Sequence, residues 1–353
     1  MVRVLGVDPG TESFGLCCLE GGEMAWEEEL PTADLGDEPD RLREHLAARG
    51  PYELICGPSG YGLPWRLARD LEEDDIRLAA LVRPGDTGSG GIGAFTRVLR
   101  NLARLPWPVV LVPGVAHLAT VPSHRKVNRI DMGTADKVCV AALAVADWAR
   151  RTGRPYAAAR LVVVEVGAAF TAVIGVEGGC IVDGLGGSSG APGFRCGGAM
   201  DAEAAYWLGS VSKATVFSGG VYRVAGQPDP DWRGFLDAIT SGAAPDRYRL
   251  AWDWWLEGIE KAVAAVAVNV GEPREVVLSG RVGLEPPVAR ALAERLRRYG
   301  GVAELRPRAR AKAAAEGAAV IADGLAGGRY AGLVEAMRLR EAGGTVLDHL
   351  YYG

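Results

Sequence analysis

Two stretches place an acid at the end of an apolar run and follow it with glycine: VLGVDPGTES at residues 4 to 13 and VVVEVGAAFT at residues 162 to 171. Backbone N–H groups in a glycine turn hold phosphate well, because a side chain beyond Cβ would block close approach. Gly10, Thr11, Glu12 and Ser13 are candidates for one such cradle, and Gly167 through Thr171 for the other. Asp8 and Glu165 would face a metal, and for magnesium the contact runs largely through water, since this ion keeps much of its hydration shell. The competing reading of Asp8-Pro9-Gly10-Thr11 is an ordinary β-turn.

Further chemistry is concentrated in three segments. DMGTADK, residues 131 to 137, offers Asp136 as a general base with Asp131 close behind, and Gly133, Thr134 and Lys137 as substrate or phosphate contacts. Plain helix-start chemistry competes there, with Thr134 as N-cap and Lys137 on the surface. SGRVG, residues 279 to 283, is either a strand-to-helix turn that needs glycine or a segment bringing the backbone of Ser279 and Gly280 against a nucleotide base, with Arg281 stacking or reaching phosphate. GLGGSSGAPGFRCGGAMD, residues 184 to 201, is too glycine-rich for a strand or helix; it is either a surface loop or a pocket border presenting Ser188, Ser189 and Arg195. RPGDTGSGGIG, residues 83 to 93, reads as a mobile loop. The four histidines show no metal-ligand spacing, His124-Arg125-Lys126 reads as a solvated basic turn, and Trp252, Trp254 and Trp255 read as helix packing.

These residues need elements to hold them. Residues 5 to 22 lie over residues 162 to 179 without a gap, so that Asp8 falls on Glu165, Gly10 on Gly167 and Glu20-Gly21-Gly22 on Glu177-Gly178-Gly179. Each copy reads as strand, acid, glycine turn, strand and two-glycine hairpin turn, and the chain therefore reads as two related α/β halves. Short buried strands are expected in 52–60, 109–114, 275–280 and 302–305. Helices are expected in 63–71, 94–105, 134–151, 250–270, 288–298 and 311–325. The expected division is a first domain over 1–132, a linking helix over 133–155, a second domain over 156–326, and a tail helix over 327–353 that returns to the first domain. Alternating strands and helices imply mainly parallel sheets.

Composition narrows the class. At 353 residues the chain exceeds one ordinary core, which suits two domains sharing a cleft. A net charge of -5 argues against a protein whose main partner is nucleic acid. Six cysteines without a CxxC pair read as buried thiols of a reducing cytoplasm. No apolar run reaches the ~20 residues a membrane helix needs, so neither export nor a membrane partner is expected. Asparagine is confined to positions 101, 128 and 269 and glutamine to 227, a depletion of thermolabile amides that points to a thermophilic source.

Four pieces in this order, VDPGTESFG, VEVGAAFT, VVLSGRVG and AAAEGAAV, resemble the first phosphate loop, second phosphate loop, adenosine strand and closing helix of the acetate and sugar kinase, Hsp70 and actin superfamily. That resemblance implies two duplicated ribonuclease-H-like domains closing on ATP and Mg2+ in an interdomain nucleotide cleft. DPGTES and residues 119 to 142 are most similar to the acetate and butyrate kinase branch, and the chain resembles an archaeal family of predicted butyrate kinases. The implied partners are a nucleotide and a small acid, with a homodimer left open. Acetate kinases carry a catalytic aspartate where this chain has Gly114 and a histidine where it has Met132. These departures keep a second reading alive, an ATP-binding sensor without turnover. VLGVDPGTESFG also resembles the first active-site strand of Holliday-junction resolvases, a metal-dependent nuclease reading that the length and charge do not suit.

Overall fold

The computed structural model describes residues 1–10, 13–31, 39–83, 92–310 and 312–352. Its first sheet contains β1 (Arg3–Pro9), β2 (Ser13–Glu20), β3 (Glu23–Pro31), β4 (Leu54–Pro58), β5 (Arg66–Leu67) and β6 (Val109–Val112), in the order β3-β2-β1-β4-β6-β5. Its second contains β7 (Leu161–Val166), β8 (Thr171–Glu177), β9 (Cys180–Leu185), β10 (Glu275–Ser279) and β11 (Gly301–Glu304), in the order β9-β8-β7-β10-β11. The longer helices are α1 (Pro39–Ala47), α2 (Glu73–Ala80), α3 (Ile92–Ala103), α4 (Ala135–Thr152), α5 (Trp232–Thr240), α6 (Asp246–Ala267), α7 (Pro286–Leu296) and α8 (Ala313–Leu325).

The two sheets repeat one another down to their irregularities. In each, an antiparallel three-strand meander is followed by two parallel strands. The first hairpin turns through Gly21 and Gly22 at φ 60° and 78°, and the second through Gly178 and Gly179 at the same two values. Only glycine occupies two successive left-handed positions cheaply, and this is what the paired glycines of the sequence supply. A register shift falls between Cys18 and Leu19 in the first sheet and between Gly175 and Val176, the matching positions, in the second.

Three apolar layers separate these sheets from each other and from solvent. Leu42, Leu46, Leu99 and Leu102 of α1 and α3 cover the outer face of the first sheet, together with Ile76 of α2. Trp255, Ile259 and Val263 of α6 cover the outer face of the second, together with Val288 and Leu292 of α7. The central layer is built on α4 and α8, whose alanines, such as Ala141, Ala142, Ala318 and Ala319, let helices and sheets approach closely. A Cβ on Gly317 would lie 2.0 Å from the carbonyl oxygen of Cys139, so glycine is what permits α8 to cross α4 there. Gly6 does the same under α8, where a Cβ would meet the Ala315 oxygen at 2.0 Å.

Several expectations change. Helix α8 packs on β1, β2 and β4 of the first sheet, although the chain reaches it from the second. The stretch 63–71 is not a helix: Arg66–Leu67 is an edge strand on β6, followed by one 3-10 turn at Ala68–Asp70. Helix α2 comes just after it, with Glu73, Asp74 and Asp75 at its positive end and a Glu72–Asp75 capping box. The tail is not one helix either. It holds a short helix at Ala331–Ala336 and a turn at Leu339–Glu341, then returns to the first half, where Gly343 N–H donates to His117 O at 2.9 Å and Asn128 N–H to His349 O at 2.8 Å. Lys126 is not solvated but buried, its ammonium donating to Leu118 O at 2.9 Å. The six cysteines are free thiols, all buried but Cys180, which is partly so. Among the described residues no helix is long and apolar enough to cross a membrane.

Candidate functional site

The acids that end β1 and β7 face one cleft of about 740 Å3 between the two sheets. Asp8 pairs with Gly15 across its hairpin and Glu165 with Ala172, the equivalent register. Both turns close in the same way: Gly10 N–H donates to Ser13 O at 3.0 Å, and Gly167 N–H to Phe170 O at 2.9 Å.

Each acid meets a lysine that begins a helix of the central layer. Lys137, in the first turn of α4, lies 3.0 Å from Glu165 Oε2 and 2.7 Å from Asp136 Oδ2. Lys312, the residue before α8, lies 3.3 Å from Asp8 Oδ2 and donates to Ser13 O at 2.5 Å. The helix that follows the first sheet thus supplies the cation for the second sheet's acid, and the helix that follows the second supplies the cation for the first's. Duplication extends from the strands into the charges.

Burial sets the protonation of this cluster. It pushes the Asp8 carboxyl above the usual carboxylate range, with Lys312 opposing and Asp136 adding to the rise. Burial also raises Glu165, against the pull of Lys137. Burial acts on Asp136 as well, but Lys137 and the Thr134 hydroxyl outweigh it and hold that carboxyl below its usual range. Desolvation would lower Lys137, yet Asp136 and Glu165 drive it upward, so its charge is secure at any physiological pH.

The remaining sequence candidates separate into those the cleft gathers and those it does not. Gly10, Ser13, Thr134, Gly167, Arg195, Ser279, Gly280 and Arg281 line it. The Ser279 hydroxyl is buried there without a hydrogen-bond partner, an orphan that a bound polar ligand would satisfy. Gly280 adopts φ 91°, and a Cβ on it would meet the Val166 carbonyl oxygen at 2.4 Å, so the turn after β10 requires glycine. Arg281 reaches across the mouth to Glu29 on β3, at 2.6 Å. Thr11 and Glu12 lie outside the described residues, as do 84–91 of the 83–93 loop.

Thr171 is corrected. Its side chain is fully buried, matching the core residue Phe14 in the first copy, its hydroxyl has no hydrogen-bond partner, and it is not among the residues that line the cleft. Gly133 is buried too, a Cβ there meeting Ile174 and Val115. Asp131 borders the cleft but is fastened: Oδ1 accepts from Gly133 N–H at 3.2 Å, and Oδ2 accepts from the Ser188 N–H at 2.9 Å and hydroxyl at 2.8 Å. The Ser189 hydroxyl donates to the Asp131 carbonyl. Ser188 and Ser189 therefore clasp the glycine-rich loop to the residues ahead of α4, and neither is among the residues that line the cleft, whereas Asp131 is. Thr134 sits at the N-cap of α4, but its hydroxyl donates to Asp136 Oδ1 instead of capping the helix. Lys137 is inside the cleft, not on the surface.

Sequence reasoning passed over Lys312, Tyr61, Phe95 and Phe217, all of which line the cleft. Lys312 stood one residue before the recognised AAAEGAAV stretch, and its fixed position ahead of a helix was the signal available. Gly114 and Met132, where acetate kinases were expected to differ, are closed positions. A Cβ at 114 would lie 2.4 Å from the Tyr61 carbonyl oxygen, and Met132 is fully buried in the central layer.

A family profile described as "Protein of unknown function (DUF1464)" matches residues 6–352. The chain belongs to this family. No curated protein sequence matches it. Among solved structures, a propionate kinase from Francisella tularensis subsp. tularensis SCHU S4 aligns with a TM-score of 0.65 at 13% identity, over 90% of this chain and 98% of that one. The acetate kinase of Entamoeba histolytica aligns at 0.59 and 13%, over 84% and 86%, and that of Porphyromonas gingivalis at 0.58 and 17%, over 83% and 86%. At these identities the likeness is one of fold: the DUF1464 chain has the two-domain fold of these propionate and acetate kinases.

Proposed function

We propose that this DUF1464 protein is an ATP- and magnesium-dependent phosphotransferase that phosphorylates the carboxylate of a small organic acid, with butyrate as the reference acceptor. The observation that carries this reading is the pair of duplicated acid-ended glycine turns, Asp8 to Ser13 and Glu165 to Phe170, facing one cleft with Lys312 and Lys137 between them.

The residues suit the ligands. Ser279 offers an unpartnered buried hydroxyl, and Gly10, Gly167 and Gly280 line the cleft beside it. Among the described residues no three His, Cys, Asp or Glu side chains converge as a metal cage. Magnesium, which takes most of its ligands from water and phosphate, asks for less, and Asp8 is the carboxylate placed to hold it through water, with Glu165 opposite. Magnesium supplies charge neutralisation of the transferring phosphoryl group when bound. Lys137, held cationic by Asp136 and Glu165, supplies a second fixed positive charge, and Lys312 a third. Arg281 and Glu29 link the two halves across the mouth.

A carboxylate acceptor fits the state of the acids. Asp131 is saturated with donors, and Asp136 is held ionised by Lys137 and Thr134, which makes it a weak proton acceptor. A carboxylate arrives ionised and gives up no proton, whereas a hydroxyl acceptor would need a base. Catalysis would then rest on positioning and charge.

The closed positions at Gly114 and Met132 favour a second reading, a nucleotide-binding sensor that does not turn over. Purified protein incubated with ATP, magnesium and a panel of carboxylic acids decides between them. Acyl phosphate and ADP in equal amounts support the kinase; nucleotide-dependent thermal stabilisation with no ADP supports the sensor; neither effect removes both.

A further inference from the structure

The charged end accounts for only part of the cleft. The same cleft has an aromatic chamber lined by Tyr61 and by Phe95 and Val98 of α3 from the first half, and by Phe170 and Phe217 from the second. The two ends are joined at both sides. Phe170 ends the second phosphate turn and its carbonyl closes it, while Gly60, also lining the cleft, accepts a hydrogen bond at 2.9 Å from Ala135 N–H, next to Asp136 and Lys137.

The chamber is shaped by rings seated on glycines. A Cβ on Gly60 would stand 2.8 Å from the Phe95 ring, and one on Gly187 would stand 2.7 Å from the Phe170 ring. Phe170 and Phe217 meet edge to face, centroids 5.3 Å apart at 81°. The Lys213 ammonium lies 4.3 Å from the Tyr61 ring centroid, tying the segment that carries Phe217 to the opposite half. Arg195, whose N–H donates to Ala169 O at 3.0 Å, stands beside the second phosphate turn and lines the same cleft.

These rings present more apolar surface than an acid of two to four carbons covers. A dry apolar cavity of ~150 Å3 already holds a benzene ring. Ring edges presented to a cavity favour another ring, because edge-to-face and offset arrangements add to the gain from burial. Resting on the kinase reading above, we propose that the acceptor is a carboxylic acid bearing an aromatic ring on a short linker, an arylalkanoate, with the ring between Phe95 and Phe217 and the carboxylate toward the second phosphate turn. In the transfer, a carboxylate oxygen forms a bond to the γ-phosphorus of ATP as the bond from that phosphorus to the bridging oxygen breaks. ADP leaves with the electron pair, and no proton is taken from the acceptor.

The test separates this inference from the reading beneath it. Acetate, butyrate, phenylacetate and 3-phenylpropionate are titrated calorimetrically into the full chain without nucleotide, and ATP with magnesium is titrated separately. Each buried methylene is worth about a fourfold gain in affinity, so 3-phenylpropionate should bind at least a hundredfold tighter than acetate. Phe95→Ala and Phe217→Ala, one from each half, should each weaken 3-phenylpropionate at least tenfold while ATP affinity, which also reports that the variants are folded, stays put. Equal affinity for acetate and 3-phenylpropionate, or ring binding indifferent to both variants, overturns the arylalkanoate assignment even where ATP binds. ATP that fails to bind overturns the kinase reading on its own, whatever the acids do.

Discussion

Replacing Lys312 with methionine tests the charge arrangement where sequence gave least warning of it. The ammonium is 3.3 Å from Asp8 Oδ2 and donates to Ser13 O at 2.5 Å, so it ties the acid to the turn that follows. At an effective dielectric of about 20 the ion pair is worth about 5 kcal/mol before desolvation is charged against it. Lys312 and Asp8 are 20% and 14% exposed at their side chains, so the net loss on mutation is set closer to 1–3 kcal/mol, roughly that of a hydrogen bond to a charged group. The functional effect is more diagnostic. Burial already raises Asp8, and Lys312 is the main force opposing that rise. Without it the carboxyl rises further and must lose its proton before it can face magnesium. In Lys312→Met the acid limb of the pH profile for magnesium–nucleotide binding should therefore move to higher pH, with affinity at neutral pH down about tenfold or more. Lys312→Arg, which keeps the charge, should restore the limb. Calorimetric titration between pH 5 and 8 reads both quantities. An unshifted limb with unchanged affinity would refute the claim that Lys312 controls Asp8.

Other consequences follow from the same contacts. Gly317→Ala puts a Cβ 2.0 Å from the Cys139 carbonyl, and forcing α8 off α4 should cost about 2–4 kcal/mol in urea unfolding; a loss below 0.5 kcal/mol would mean that the crossing tolerates a methyl group. His117 is buried beside Lys126, with Asp348 opposing, and its pKa is pushed down to about 4 from 6.5. Its folded form binds fewer protons than its unfolded form, so it contributes stability above pH 6.5 that is lost as pH falls toward 4, about 3 kcal/mol in all. His117→Gln should unfold with a shallower acid dependence in that window, and identical slopes would contradict the assignment. The Arg281–Glu29 pair at the mouth is partly exposed, so Arg281→Ala should change stability by under about 1 kcal/mol while speeding nucleotide release in stopped flow.

How much of this was legible in the chain depends on what kind of fact each residue records. The duplication was readable because hairpin geometry forces it into sequence: two successive left-handed positions call for glycine pairs, and so Gly21-Gly22 and Gly178-Gly179 align. The acids at the strand ends aligned with them. Helix α8 was legible as a helix but its partner sheet was not, since alanine spacing states that a helix packs closely and not what it packs on. Asp131 looked like a base because an acid before a helix has the same appearance whether its oxygens are free or fastened by Ser188 fifty-seven residues away. The chamber was invisible for a similar reason, as Tyr61, Phe95, Phe170 and Phe217 come from four separate segments and each alone reads as core.

The central claim is that Asp8, Lys312, Glu165 and Lys137 form one nucleotide site shared by the duplicated halves. Calorimetric titration of ATP with magnesium into the wild-type chain, Asp8→Asn and Glu165→Gln tests it most directly. One nucleotide per chain, with affinity lowered at least tenfold by either substitution, is the predicted result. Binding that neither substitution alters, or no binding to the wild type, would contradict it.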